Sequence, residues 1–151
     1  MPAADVVLVD TSVWVDFFNG HASPEAGVLA ARLEANDPIA LPGIVQTEIL
    51  LGLRTEADAE RIAGLLGAFE AAPELTRSDY LEAARIFRTC RRAGSTLRSA
   101  IDCLIAQTCL RHGFELLAKD RDYVVIARHF PLRLQEARSR GQDPQARGPE
   151  P

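Results

Sequence analysis

The chain has 151 residues, of which 47% are hydrophobic, and this fits one globular domain with a sizeable core. No apolar run approaches the roughly 20 residues that a membrane-spanning helix needs. The N-terminus also lacks the basic and apolar regions of a signal peptide, so we expect a cytoplasmic protein. The three cysteines show no Cys-x-x-Cys spacing, which favours reduced thiols over a disulfide framework or a zinc site.

Charge is distributed unevenly along the chain. The net charge of −4 argues against simple nonspecific binding to nucleic acid. Residues 1–75, however, carry 12 acidic and 3 basic residues, a net charge of −9, whereas residues 76–151 carry 14 basic and 9 acidic residues, a net charge of +5. A polyanion could therefore meet the basic half while a metal neutralises the acidic half. Ordinary solvated faces are the alternative interpretation.

The hydrophobic pattern predicts alternating strands and helices. In the first half we expect a strand at 6–10, helices at 11–18 and 24–35, a strand at 39–41, and helices at 42–53 and 56–69. In the second half we expect a strand at 73–76, helices at 78–92 and 98–112, a strand at 114–118, a helix at 122–128 and a strand at 132–134. Thr11 and Ser12 are predicted to cap the first helix, and Ser78 to cap the helix that it begins. The alternation predicts an α/β fold with a parallel sheet.

The C-terminal end differs in composition from the rest of the chain. From Glu136 the sequence is polar and rich in Gly, Pro, Arg and Gln. We therefore predict one folded domain over residues 1–135 and a disordered tail over residues 136–151.

Four acidic residues stand out because they lie in or directly after apolar sequence. They are Asp10, Glu48, Asp102 and Asp120, and Asp122 lies just behind the fourth. Carboxylates in such positions are either buried at a cost or serve a cation. Asp10 and Asp120 follow predicted strands, and ligands of α/β sheets bind beyond the carboxyl ends of the strands. Clustered carboxylates repel one another unless a cation intervenes, and oxygen-only ligands suit Mg²⁺ or Mn²⁺, in a number that the sequence leaves open.

Each of these residues also has an ordinary interpretation. Asp10 or Asp102 could be an acid at a helix start, Glu48 a half-exposed helix residue, and Asp120 or Asp122 a loop residue. Similarly, the hydroxyls of Thr11 and Ser12 could cap a helix or position a water molecule, and Asp16 is expected to face solvent. The convergence of four carboxylates makes the incidental interpretation weaker for the set than for any one member.

Basic residues form a stripe on one predicted helix. Arg85, Arg88 and Arg92 recur at i, i+3 and i+7, which puts them on one face. Such a stripe is either a solvated helix face or a track for phosphates.

Four ordered blocks of the sequence resemble the PIN domain, and more closely the VapC toxins of bacterial type II toxin–antitoxin pairs. The blocks are Val-Asp-Thr-Ser-Val-Trp-Val-Asp-Phe-Phe (9–18), Thr-Glu-Ile-Leu-Leu-Gly (47–52), Ile-Asp-Cys-Leu-Ile-Ala (101–106) and Leu-Leu-Ala-Lys-Asp-Arg-Asp-Tyr (116–123). Asp-Thr-Ser alone is a weak signal, but four blocks in the right order over residues 6–134 are specific.

The resemblance implies a PIN-like three-layer α/β/α sandwich with a short, mostly parallel central sheet, and the activity of a Mg²⁺-dependent endoribonuclease. Under this resemblance Asp10, Glu48, Asp102 and Asp120 correspond to the metal-binding acidic quartet, Asp122 to an auxiliary acid, and Thr11 or Ser12 to the hydroxyl beside the first Asp. The resemblance also implies a homodimer and a cognate VapB-like antitoxin that blocks the site and binds operator DNA.

Two positions refine the resemblance. Family members often carry Thr or Ser two residues before the fourth Asp, where this chain has Ala118, so a water held by that hydroxyl is in doubt. Arg98 lies where these toxins often carry a basic residue before the third acid, and it could contact an RNA phosphate.

The resulting hypothesis is metal-dependent hydrolysis of an RNA phosphodiester, and two alternatives remain open. One is a Rossmann-like phosphoryl-transfer domain in which Asp10 and Lys119 serve as phosphate acceptor and partner, although a phosphatase Asp-x-Asp-x-Thr is missing after the first strand. The other is a non-catalytic binding module that keeps only the fold, against which the intact acidic quartet argues.

Overall fold

A single parallel sheet forms the centre of the molecule. The computed structural model describes residues 5–137. Within this range the strands are β1 (Val7–Val9), β2 (Ile39–Leu41), β3 (Glu70–Ala71) and β4 (Glu115–Leu117), in the spatial order β3-β2-β1-β4. All neighbouring strands run parallel; Val7, for example, pairs with Ile39 on one side and Glu115 on the other. The predicted α/β fold with a parallel sheet is confirmed.

Helices cover both faces of this sheet. They are α1 (Thr11–Phe18), α2 (Pro24–Glu34), α3 (Gly43–Leu51), α4 (Glu56–Leu66), α5 (Arg77–Arg92), α6 (Ala100–His112) and α7 (Asp122–Ala127). Helix α1 contacts α2 and α3, and α3 contacts α4, whereas α5, α6 and α7 contact one another and form a second group. The result is the expected three-layer sandwich. No helix among the described residues is long and apolar enough to cross a membrane.

The core is built around β1 and its neighbour β4. Val7, Leu8 and Val9 are completely buried because helices cover both faces of a central parallel strand, which explains the uninterrupted apolar run. Trp14 on α1 is also completely buried, and each such side chain contributes about 1.5–3 kcal/mol of transfer free energy. The three cysteines are free and all of them are buried.

Two helix caps differ from the prediction. Helix α5 is capped by Thr76 instead of Ser78, because Thr76 forms a reciprocal capping box with Asp79 that Ser78 is placed too late to form. Helix α1 has Asp10 at its N-cap, and the hydroxyls of Thr11 and Ser12 bind carboxylates instead of capping the backbone. Local propensity identified cap-forming residues but not the partners that they choose in the fold.

Two predicted strands also need correction. The predicted strand at 73–76 is wrong, since the chain leaves α4 at Leu66 and forms β3 earlier, at Glu70–Ala71, where it pairs with β2. Near the end of the domain, the predicted strand at 132–134 is reduced to one bridge between Leu134 and Leu116. β3 is an outer strand of the sheet, and the Leu134 bridge extends the opposite side beyond β4, so each pairs with one neighbour over a short stretch.

Contacts of Gln135 hold the end of the described part of the chain against the sheet and α2. The backbone N–H of Gln135 donates to the carbonyl of Leu116 at 2.8 Å, and the Gln135 side chain accepts a hydrogen bond from Arg32 on α2. The predicted tail at 136–151 lies outside the described residues except for its first two.

Candidate metal centre

The site lies at the carboxyl ends of the two central strands. Asp10 directly follows β1, and its backbone N–H donates to the carbonyl of Leu117, the last residue of β4, at 2.9 Å. Asp120 lies three residues beyond β4. Because parallel strands end at the same edge of a sheet, two acids far apart in sequence reach one region. Helices α3 and α6 add Glu48 and Asp102.

Asp10 is a buried carboxylate held by two hydroxyls. Its side chain is 7% exposed, its Oδ1 accepts a hydrogen bond from the Tyr123 hydroxyl at 3.1 Å, and its Oδ2 accepts one from Ser12 at 3.1 Å. Burial raises the pKa of Asp10 above its ordinary value, and the nearby charge of Glu48 adds to this effect against the hydrogen bonds. The two hydroxyls therefore orient the carboxylate without supplying a positive charge.

Glu48 joins the site through α1. The Thr11 hydroxyl donates to Glu48 Oε1 at 2.8 Å, so the first turn of α1 binds acids from two directions. Thr11 and Ser12 thus lie at the site, although not in the capping role predicted for them.

Three further carboxylates form what we call the acidic cluster: Asp102, Asp120 and Asp122. One carboxylate oxygen from each lies within 4.8 Å of the others. The backbone N–H of Asp122 donates to Asp120 Oδ1 at 2.9 Å, and the backbone N–H of Arg98 donates to Asp122 Oδ2 at 2.9 Å. These contacts fix the loop geometry and leave the negative charges uncompensated.

The electrostatics of the acidic cluster point to a missing positive charge. Within residues 5–137, no Lys or Arg side chain forms an ion pair with Asp102, Asp120 or Asp122. Burial and then the charges of Asp10, Asp120 and Asp122 raise the pKa of Asp102 to about 6, against a hydrogen bond from Tyr123. The donor set consists of carboxylate oxygens, which suits a hard divalent cation.

The basic residues near the site have different partners. Lys119 donates to Asp16 at 2.8 Å instead of approaching Asp10. This bond lowers the pKa of Asp16, whose side chain is only 14% exposed, so the expectation that Asp16 faces solvent is wrong. The reason is that α1 packs beside the loop after β4. Lys119 is therefore engaged, which weakens the phosphoryl-transfer alternative.

The arginines are placed unequally. Arg98 is held beside the acidic cluster by its backbone contact to Asp122 and has an exposed side chain. Arg85 binds Glu82 at 2.9 Å and lies over the Phe130 ring at 5.3 Å, so its charge is already used within the domain. Arg88 and Arg92 are exposed on α5.

One residue of the site was missed by sequence reasoning. Tyr123, 1% exposed, places its hydroxyl 3.1 Å from Asp10 Oδ1 and 3.1 Å from Asp102 Oδ1. Burial raises its pKa, and the two carboxylates raise it further, so the phenol stays protonated. An available signal was its place directly after Asp122 in an apolar helix, since a buried tyrosine hydroxyl needs a partner.

The PIN domain family model matches residues 7–129, which contain every acid of the site. The chain belongs to the PIN-domain family. It is 37% identical over 133 residues to a VapC ribonuclease of Mycobacterium bovis and to ribonuclease VapC11 of Mycobacterium tuberculosis, over 82% of this chain and 92% of each relative. The family resemblance of the four sequence blocks is thereby confirmed.

Solved structures show the same fold. VapBC2 from Rickettsia felis, bound to a DNA fragment from its promoter, superposes with a TM-score of 0.66 at 17% identity, over 86% of this chain and 97% of that one. A toxin–antitoxin complex from Klebsiella pneumoniae superposes with a TM-score of 0.60 at 21% identity, over 76% and 87% of the two chains. At these identities the likeness concerns the fold.

Proposed function

We propose that this chain is the toxin of a type II toxin–antitoxin pair and cleaves RNA internally with the help of Mg²⁺. The observation that carries the proposal is the set of uncompensated carboxylates at the carboxyl edge of the sheet, in a chain 37% identical to named ribonucleases. Mn²⁺ is the expected substitute, because both ions accept all-oxygen coordination.

The proposed cation ligands are Asp10, Glu48, Asp102 and Asp120, with Asp122 as the auxiliary acid. A divalent cation in such a site lowers the pKa of a coordinated water and stabilises negative charge on a scissile phosphate. Around it the chain supplies orientation: Ser12 holds Asp10, and Thr11 holds Glu48. Ala118 offers no hydroxyl, so these two residues of α1 are the proposed positioning groups on this side.

Arg98 is the arginine best placed to contact substrate. Its main chain is bound to Asp122, and its exposed guanidinium can therefore reach a phosphate adjacent to the cleaved bond. Arg88 and Arg92 are proposed as weaker, more distant phosphate contacts. Arg85 is the least available of the predicted RNA contacts because Glu82 and Phe130 hold its guanidinium.

The proposed partners follow from the relatives. We propose a cognate VapB-like antitoxin that blocks the site, a homodimer of this chain, and contact with operator DNA only through the antitoxin. The support for the antitoxin and for operator DNA is the Klebsiella toxin–antitoxin complex and the Rickettsia complex with promoter DNA, both of which share this fold. The homodimer and the blocked site rest on the family resemblance. We further propose that this action takes place in the cytoplasm, in keeping with an RNA substrate and a protein antitoxin.

RNA cleavage by the purified, antitoxin-free protein tests this function. We expect discrete cuts in total cellular RNA with Mg²⁺, no cuts with EDTA, and mapped fragment ends that reveal the target. Asp10→Asn and Asp102→Asn should fold and cut at least about 100-fold more slowly, since loss of even an outer partner of a metal ligand costs about 10–100-fold. Asp58→Asn, an exposed acid on α4, is the matched control and should cut normally.

The alternatives predict different results. Wild-type cutting by either site variant contradicts the metal-centre proposal. A folded wild-type protein that binds no Mn²⁺ in calorimetry favours the non-catalytic module, whereas a phosphoaspartate trapped on Asp10 favours phosphoryl transfer.

A further inference from the structure

Tyr123 connects two acids that come from different elements of the site. Asp10 lies after β1, Asp102 lies on α6, and the Tyr123 hydroxyl on α7 is 3.1 Å from one oxygen of each. A phenol carries a single proton, so it donates to one carboxylate at a time. The Tyr123 hydroxyl therefore lies within hydrogen-bond distance of both carboxylates and can donate its proton to either one.

The ring and the oxygen of Tyr123 have separable roles. The ring is packed in the hydrophobic core, where a phenylalanine ring would occupy nearly the same volume. Burying the additional hydroxyl is unfavourable unless it finds polar partners. Both hydrogen-bond partners of the hydroxyl are site carboxylates, so the oxygen contacts the site while the ring packs in the core.

The hydrogen bonds leave a defined oxygen for a ligand. Tyr123 binds Oδ1 of both acids, and Ser12 binds Oδ2 of Asp10. Among residues 5–137, Asp102 Oδ2 receives no hydrogen bond from a side chain or backbone donor. Each Asp10 oxygen accepts one side-chain hydrogen bond and keeps a lone pair for a cation, whereas both lone pairs of Asp102 Oδ2 remain open to it.

Helix α7 links this arrangement to the acidic cluster. Asp122 is its first residue and Tyr123 its second, and the backbone N–H of Asp122 binds Asp120. A single short helix thus sets the position of Asp122 and, through the phenol, the orientations of Asp10 and Asp102.

We propose that Tyr123 is a positioning residue of the metal centre, whose hydroxyl holds the Asp10 and Asp102 carboxylates in a spacing and orientation ready for a divalent cation. This inference deepens the proposed function and rests on it. Orienting partners of metal ligands commonly contribute about 10–100-fold to metal affinity or activity. The Tyr123 hydroxyl orients the two carboxylates without adding a positive charge, so their negative charge remains available to a cation.

The test removes one oxygen atom. Tyr123→Phe keeps the ring, and Tyr80→Phe is a matched control because Tyr80, the other tyrosine of the chain, is 54% exposed. We expect the Kd for Mn²⁺, measured by calorimetry at fixed pH, to rise about 10–100-fold in Tyr123→Phe and to stay unchanged in Tyr80→Phe. RNA cleavage by Tyr123→Phe should recover in part as Mg²⁺ is raised, which a general folding defect does not predict.

A second measurement begins with the wild-type protein, in which the presence or absence of a signal is informative before any variant is compared. Mn²⁺ should produce an ultraviolet difference band of tyrosine that Tyr80→Phe retains and Tyr123→Phe loses. An unchanged Mn²⁺ Kd in Tyr123→Phe, or no tyrosine band in a wild type that binds Mn²⁺ and cuts RNA, overturns the role of Tyr123 alone. A wild type that neither binds Mn²⁺ nor cuts RNA overturns the proposed function together with it.

Discussion

Two aspartates packed near the same helix show opposite electrostatics. Asp79 on α5 is 1% exposed and accepts hydrogen bonds from Arg111 and Gln107 of α6 and from the backbone of Thr76. Burial alone would raise the pKa of Asp79, but these donors outweigh burial and hold the pKa well below its usual range. Asp102, on α6 itself, has its pKa raised to about 6 by burial and by neighbouring acids.

The two aspartates differ in whether the protein itself supplies a positive charge to them. Arg111 of α6 forms an ion pair with Asp79 of α5, so the charge of Asp79 is compensated within the fold and the pair joins the two helices. Asp102 has other acids and a neutral phenol as neighbours, so only a bound cation would compensate its charge. Burial of an acid therefore does not by itself indicate a function, whereas burial without a counter-charge does.

The largest expected effect concerns the structural member of the pair. Asp79→Ala should lower the free energy of unfolding by about 3 kcal/mol, at the lower end for a broken buried ion pair because the Arg111 side chain is 39% exposed. Since the folded pKa is depressed, this stabilisation is complete at neutral pH, above the unfolded pKa, and is lost as pH falls through the folded pKa. Urea unfolding at pH 7 and in acid measures both. A variant as stable as wild type at pH 7 contradicts the assignment.

The next effect comes from supplying the charge that the acidic cluster lacks. Mn²⁺ at about 100 times its Kd should stabilise the wild-type protein by about 2.7 kcal/mol, because it binds the folded state alone. Asp102→Asn should gain much less, and EDTA should reverse the gain. Thermal unfolding with and without Mn²⁺ gives the comparison, with Asp58→Asn as the control acid. If Mn²⁺ stabilises Asp102→Asn as much as the wild-type protein, the acidic cluster is not the cation-binding site.

The smallest effect has the opposite sign from the first. Without metal, Asp102→Asn should stabilise the protein at pH 8 by about 1.4 kcal/mol. This is the free energy of one pKa unit; the full pKa shift is not converted, because Asp102 is only half-buried and solvent screens its charge. The folded pKa is raised, so the penalty of the charged carboxylate is full above pH 6 and disappears below the unfolded pKa of 3.8. Urea unfolding of EDTA-treated wild-type protein and Asp102→Asn, from below pH 3.8 to pH 8, measures this difference in stability. A variant less stable than wild type at pH 8 contradicts the uncompensated charge.

Much of the fold was available from local pattern. The continuous apolar run at Val7–Val9 predicts a buried parallel strand because a central strand must be apolar on both faces. Most helix bounds followed from apolar periodicity and from stop residues such as Gly113, which takes a positive φ of 69° at the end of α6. The acids of the site could be placed at strand ends and on core-facing helix sides by the same patterns, together with the ordered family blocks.

Tertiary structure decided which side chains meet. The ion pair between Asp16 and Lys119 and the contact of Tyr123 with Asp10 each join residues more than 100 positions apart. Sequence periodicity describes one element at a time and contains no distance between elements, so it could not indicate that Asp16 is paired or that a phenol bridges two acids.

The chain by itself therefore determined the α/β architecture and the acidic composition of the site, because both depend on local patterns of burial and turn formation. Only the folded structure decided that Asp79 is satisfied and Asp102 is not, because charge compensation depends on which donors the packing of α5, α6 and α7 brings within hydrogen-bond distance.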